Sequence, residues 1–423
     1  MCNFAPQKAE YHFMNYQTHI CRNGLRIIHL PSQSSVIYCG FAVKAGTRHE
    51  KTGEEGLAHF CEHLAFKGTR RRSAVQIINA LEGVGGELNA FTNKEETVYY
   101  AATTRQHFLR AVDVLSDIVF CSQYPEHEVE KEREVVCDEI ESYEDSPSEL
   151  IFDEFENLLF EGHPLGHNIL GTSERVRQYT SADARRFTNH YYRFDNSIFF
   201  VSGDIDFRML VKTLEGMEPV YDVSDVTSSS ATKGLLKPFV ASEPVIRHRD
   251  THQAHVMIGT RAFSFTDERR WPLYLLNNIM GGPAMNSRLN LSLRERNGLV
   301  YTVESTMASY SDTGAWSVYF GCDQHDVKRC CRMVGRELDR LCQHPLSDTQ
   351  LRKAKQQMRG QLAIASDNRE QFALDFAKNY LHHGTERNLD EIIAHLETVT
   401  ASQLQQVACE VFAPEKLLTL IYD

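Results

Sequence analysis

The chain has 423 residues, 42% hydrophobic and 24% charged, with 45 Lys plus Arg against 57 Asp plus Glu for a net charge of −12. That balance is globular; it excludes a disordered chain, a collagen-like rod and a small disulfide scaffold, and its acidity argues against a nucleic-acid partner. No apolar run approaches the roughly 18–20 residues that span a bilayer, so no membrane partner is expected.

The opening residues, MCNFAPQKAEYHFMNY, lack a basic segment followed by an apolar core. Residues 36–38 then read as a buried strand. Ser73 can cap AVQIINALEGV, apolar at 74, 77, 78, 81 and 84, before Gly85-Gly86 stops it. Residues 88–91 and 98–101 read as strands, and Phe108, Leu109, Val112, Leu115, Ile118 and Val119 recur at helical spacing. Thr180-Ser181-Ala182-Asp183 resembles a helix cap leading to the strand Ile198-Phe199-Phe200-Val201. The polar stretch DVTSSSATKG, residues 225–234, has the composition of a linker. Beyond it, residues 256–258, 300–307 and 316–320 read as strands, with Ser311-Asp312-Thr313-Gly314 as a turn, and residues 325–343, 347–365 and 369–383 as helices. Thr400-Ala401-Ser402-Gln403 opens a last helix before a strand at 418–421.

Strand and cap signals recur at an offset of about 220 residues: Val36 with Val256, Thr180 with Thr400, Ile198 with Leu418. The blocks of strands and helices predict an α+β fold of two homologous domains, each an antiparallel-rich mixed sheet packed against helices. The expected boundaries are 1–224, a linker at 225–244, and 245–423. The 11 cysteines form no CxxC pair, which suits a reducing compartment and predicts a cytoplasmic chain.

The sharpest local signal is His59-Phe60-Cys61-Glu62-His63 in GLAHFCEHLAFKGT. On a helix, positions i and i+4 share a face, so His59 and His63 can hold one ion. Glu62 lies at the edge of that face, where a general base belongs. HxxEH inverts the HExxH arrangement of zinc peptidases. A catalytic zinc takes three protein ligands, and EKEREVVCDEIESYE (130–144) offers the third on a helix lined by Val129, Val136 and Ile140. Glu132 and Glu139 are seven apart, but so are Glu134 and Glu141, and spacing alone leaves the choice open.

HFCEHLAFKGT, GGELNAFTNKEETVYYA (85–101), EKEREVVCDEIE, HPLGHNILGT (163–172) and NSRLNLSLRERNGLVYTV (286–303) follow in order along most of the chain. Together they resemble the insulinase/pitrilysin family of zinc metallopeptidases, especially its half-length branch with the mitochondrial processing peptidase β subunit and bacterial relatives. The resemblance implies His59, His63 and Glu139 as zinc ligands, Glu62 as general base and Glu132 as a supporting carboxylate. It implies that Asn89, Ala90, Phe91 and Thr92 form the edge strand to which substrate adds. It implies that Arg294 and Tyr301 bind substrate and help hold the oxyanion. Offset by 220, HFCEH falls on Ile279-Met280-Gly281-Gly282-Pro283, so the second half carries no such ligands.

The function expected is a zinc endopeptidase in which Glu62 activates water toward unstructured oligopeptides inside a closed chamber. Members of this length build the chamber by pairing chains, which implies a homodimer, or a heterodimer with a related inactive chain. The competing expectation is a catalytically silent structural or binding subunit. Cys61 and Cys137 sit close to the motif residues and could make activity oxidation-sensitive, or could be small buried hydrophobes. His127, His163, His167 and His382-His383 lack a second ligand at metal spacing and read as surface or loop histidines.

Overall fold

The computed structural model describes residues 15–218, 236, 243–249 and 251–423; the Ser-rich stretch 225–234, read above as a linker, lies outside them. The first half opens with β1 (Gln17–Ile20), β2 (Arg26–Pro31) and β3 (Val36–Val43), followed by α1 (Leu57–Ala65) and α2 (Ala74–Glu82). A hairpin of β4 (Glu87–Thr92) and β5 (Thr97–Thr104) leads to α3 (Phe108–Phe120), α4 (Glu126–Glu144), α5 (Pro147–Leu159), α6 (Ser173–Val176) and α7 (Ser181–Tyr191). Then come β6 (Ser197–Gly203) and α8 (Phe207–Glu215).

The second half repeats this plan with β7 (Val245–Arg247), β8 (Ala254–Ala262), α9 (Arg270–Gly281) and a π-helical turn, Asn290–Glu295. The hairpin of β9 (Val300–Ser309) and β10 (Gly314–Cys322) follows. Next are α10 (Val327–Gln343), α11 (Asp348–Ala365), α12 (Arg369–His383), α13 (Leu389–Thr398), α14 (Ala401–Val411) and β11 (Leu418–Tyr422).

The first sheet runs β1-β2-β6-β3-β5-β4 and the second β7-β11-β8-β10-β9. In each, one parallel pair (β2 with β6, β7 with β11) sits within an otherwise antiparallel array. The fold is α+β with two mixed sheets. Both α7 and α14 start with a capping box, Thr180 with Asp183 and Thr400 with Gln403, which satisfies the first free backbone N–H groups.

Each sheet is apolar on both faces. Phe199 and Phe200 are consecutive and both fully buried, as expected of a strand covered on two sides. On one face Phe41, Phe199 and Val201 pack with α1, α3, α4 and α7. On the other, Ile28, Ala42, Val98, Ile198 and Phe200 pack against Phe372, Phe376 and Tyr380 of α12, a helix of the second half. Reciprocally, Leu150, Ile151 and Phe155 of α5 cover Met257, Tyr319 and Leu420 on the second sheet. The halves thus exchange one helix each.

Polar ties accompany the exchange. Arg48, 2% exposed, bridges Glu95 in the β4–β5 turn (Nη1 to Oε1, 2.8 Å) and Asp312 in the β9–β10 turn (Nη1 to Oδ1, 2.8 Å). Glu96 takes His382 (2.8 Å) and Lys378 (3.0 Å) from α12. Of the histidines read as surface or loop residues, His163 is a loop residue but 5% exposed, and His382 is neither, lying in α12 with its side chain 5% exposed and held by Glu96.

Candidate metal centre

The motif LAHFCEHLA forms α1, and nearly all of it is buried. Its N-cap is Gly56, at φ +88°, which supplies no capping side chain. Glu50 does that work from six residues upstream: Oε2 accepts from Gly56 N (3.0 Å) and Oε1 from Ala58 N (2.7 Å). His167, in the 163–172 loop, pairs with Glu50 Oε2 at 2.9 Å, and Lys94 Nζ donates to the His167 carbonyl. Glu50 and Lys94 were not legible in the sequence: Glu50 caps α1 from a loop outside the motif, and Lys94 meets His167, 73 residues on, only in the folded chain.

His59 and His63 stand one turn apart, their ring centroids 4.6 Å apart. The amphipathic α4 buries Val129, Val136 and Ile140 in the core and offers Glu139 from a more exposed position. Glu139 Oε2 lies 3.3 Å from His63 Nε2 and 3.8 Å from His59 Nε2. The ligand atoms of His59, His63 and Glu139 all lie within 4.8 Å of one another. Glu132, two turns earlier, meets His63 Nδ1 at 2.9 Å and takes Lys67 Nζ at 2.7 Å on its other oxygen. A carboxylate on Nδ1 fixes the ring and leaves Nε2 for an ion. This donor set, two imidazoles and one carboxylate with a supporting carboxylate, fits a catalytic zinc.

The electrostatics suit cation binding. Burial, and then His63, push His59 down to about 4, so its imidazole is neutral. Against burial, hydrogen bonds that its ring N–H groups donate to Glu132 and Glu139 hold His63 up to about 9; an ion there must displace that proton. Burial also opposes, but His63 and Lys67 outweigh it, in holding Glu132 below the usual carboxylate range. Burial raises Glu62, while the Thr92 hydroxyl, donating to Glu62 Oε2 at 2.6 Å, opposes the rise.

Asn89, Ala90, Phe91 and Thr92 lie on β4, which among the described residues pairs with β5 alone and forms the sheet edge. Thr92 thus links the open strand to Glu62, a contact that the sequence reading missed. Arg294 lies one residue before the end of the π-helical turn, its guanidinium 2.9 Å from Glu295, and Tyr301, in β9, is 83% exposed. Both line a cavity of about 490 Å³ with Gly281, Gly282 and Pro283, and none of the zinc-type donors or Glu62 lines it. Within one chain these two residues therefore gather at the second half's counterpart of the motif, apart from the donors. Cys61 is fully buried, its Sγ toward the Ala184 carbonyl (3.9 Å), and burial pushes its thiol well up. It is a small buried hydrophobe rather than a reactive thiol.

Residues 27–173 match the family described as Insulinase (Peptidase family M16), and residues 178–358 the one described as Peptidase M16 inactive domain. The chain is similar to the "Uncharacterized zinc protease YmxG" of Bacillus subtilis, 34% identical over 95% of this chain and 97% of that one. It is also similar to the "Uncharacterized zinc protease SCO5738" of Streptomyces coelicolor, 33% identical over 94% and 87%. Among solved structures, a protease from Helicobacter pylori shares the fold at a TM-score of 0.90 and 21% identity, covering 97% and 99% of the two chains. A peptidase M16 inactive domain from Pseudomonas fluorescens does so at 0.85 and 16%, covering 96% and 97%. The chain belongs to the insulinase family of peptidases.

Proposed function

We propose that this protein is a zinc-dependent endopeptidase that hydrolyses unstructured oligopeptides in a chamber formed by two copies of the chain. The observation that carries the reading is the convergence of His59, His63 and Glu139, with Glu132 behind His63 and Glu62 on the same helix. Those three residues would hold zinc, and Glu132 would orient His63. When bound, zinc supplies Lewis acidity, lowering the pKa of water to roughly 7 and polarising a carbonyl.

The chain's own residues supply the rest. A peptide adding to the free edge of β4 would be held by main-chain hydrogen bonds, which favours extended, unfolded substrates of varied sequence. Glu62, buried and oriented by Thr92, would take the proton of the attacking water and return it to the leaving amine. Arg294 and Tyr301, apart from the donors within one chain, support a paired assembly in which a second copy brings its own pair to the chamber. The same separation also supports a heterodimer with a related inactive chain.

Among the described residues, no helix is long and apolar enough to cross a membrane, and 10 cysteines are free, which supports a cytoplasmic setting. The test is Glu62→Gln, a near-isostere. It is expected to retain zinc at the wild-type stoichiometry and to lose peptide cleavage; wild-type cleavage by this variant would overturn the mechanism. Sedimentation of the pure, active chain decides between homodimer and heterodimer.

A further inference from the structure

A second group of metal-ligating side chains meets at the outer edge of the first sheet. His19 lies in β1, Cys21 follows just beyond its end, and Glu215 is the last residue of α8. In extended chain, residues i and i+2 share a face, so His19 and Cys21 project the same way. One ligand atom of each residue lies within 4.8 Å of the others, with His19 Nε2 3.1 Å from Glu215 Oε1. Cys21 is 3% exposed, while the His19 and Glu215 side chains are 38% and 18% exposed. The group therefore has a buried thiol as its floor and an open side through which an ion can enter.

We propose that His19, Cys21 and Glu215 form a second site for a zinc-class divalent cation, one that pins β1 to α8. A sulfur, a nitrogen and an oxygen donor together select a borderline ion such as Zn²⁺ over Ca²⁺ or Mg²⁺, which take oxygen ligands. Water completes a tetrahedral shell. The C-terminal end of α8 adds the negative end of a helix dipole. Burial, and then the Glu215 carboxylate, push the Cys21 thiol up to about 11. Cation binding releases that proton to solvent, and the thiolate becomes the ligand.

The resident competitor is Arg22, whose Nε lies 3.1 Å from Glu215 Oε2 and whose backbone N lies 3.3 Å from both oxygens. Its side chain is 89% exposed, so the guanidinium can swing away at small cost. The backbone N–H can stay and orient the carboxylate from outside. The site has a structural consequence. It closes the chain between residues 19 and 215 across an edge strand that, among the described residues, pairs only with β2. Nothing here depends on the peptidase reading.

The test is a titration of the full, metal-free chain with Co²⁺. The donors at His59, His63 and Glu139 include no thiolate, so a near-ultraviolet thiolate-to-cobalt charge-transfer band separates the second site from the first, and its loss in Cys21→Ser separates it from the chain's other thiols. The wild type is expected to bind about two equivalents, one at each of these two sites, and to show the band, which Zn²⁺ then bleaches. Cys21→Ser is expected to lose the band and one equivalent. His59→Ala is expected to lose the other equivalent and keep the band, so failure of the peptidase centre would not be mistaken for failure here. If Cys21→Ser does not fold, His19→Ala and Glu215→Gln, both at partly exposed positions, carry the test: each should weaken cobalt binding at least tenfold. No band in the wild type, a band that survives Cys21→Ser, or one unchanged in both exposed variants would leave a plain His–Glu ion pair beside a buried thiol and overturn the proposal.

Discussion

A carboxylate that must accept a proton near neutral pH needs an environment that makes it a better base than it is in water, and Glu62 has one. It is 8% exposed, and burial raises its proton affinity, while the Thr92 hydroxyl fixes one oxygen. Thr92→Val keeps the shape and removes the donor. It is expected to lower kcat about tenfold, a part of the 10²–10⁴ that general-base catalysis contributes, with zinc content unchanged. Thr92→Ser should recover most of the loss, and equal rates for Val and wild type would show that the hydroxyl does not position Glu62. At His63, Glu132→Gln replaces the supporting carboxylate. Metal affinity should fall by about 10–100-fold, read by zinc competition with a chromogenic chelator. His59, Glu62 and His63 were legible in the sequence because they are local, an i, i+4 pair with a neighbour. Glu132 and Glu139 were not separable by spacing from Glu134 and Glu141, because which face of α4 meets α1 depends on packing that only the folded chain reveals.

Among the elements, α1 carries the motif but not its own cap. Gly56 leaves the first N–H groups to Glu50, whose carboxylate is held by His167. Glu50→Ala would strand buried N–H groups and is expected to cost about 1–3 kcal/mol, read by denaturant unfolding, with weaker zinc retention as the helix start frays. No loss in either would show that the cap is dispensable. The open edge of β4 makes a different prediction. Peptides carrying N-methyl groups on alternate residues beside the cut should be cleaved far more slowly than their parents, because a strand added to an edge depends on its N–H groups. The elements themselves were largely legible, since their apolar periods and caps are local: the strands at 198–201 and 418–421 became β6 and β11, and Ser73, Thr180 and Thr400 do precede helices. The exchange of α5 and α12 was not, because an apolar helix stripe does not say which sheet it covers.

For the molecule as a whole, the exchanged helices and the charges beneath them join the halves next to the β4–β5 hairpin. Arg48 reaches Glu95 and Asp312 from a buried position. Arg48→Met would leave the two carboxylates facing one another and is expected to cost about 3–5 kcal/mol, checked by denaturant unfolding; a cost below experimental error would show that the helix exchange alone holds the halves. Glu96 adds a pH dependence. Burial opposes, but His382 and Lys378 prevail, drawing its carboxyl from the usual 4.5 to about 2. A carboxylate with a depressed folded pKa contributes its full stability above the unfolded value, so this contribution should fade as pH drops from about 4.5 toward 2. Glu96→Gln should flatten the acid limb of a stability–pH curve over that window, and an unchanged limb would assign acid unfolding to other groups.

The central claim is that the residues gathered on α1 and α4 make a zinc peptidase. Its most direct test is mass spectrometry of an unstructured peptide mixture incubated with the purified, zinc-loaded chain, beside Glu62→Gln and a chelated sample. The expected result is cleavage by the wild type alone, with the cut sites defining the preference. Cleavage that persists in Glu62→Gln or after chelation, or no cleavage by a zinc-loaded dimer, would contradict it.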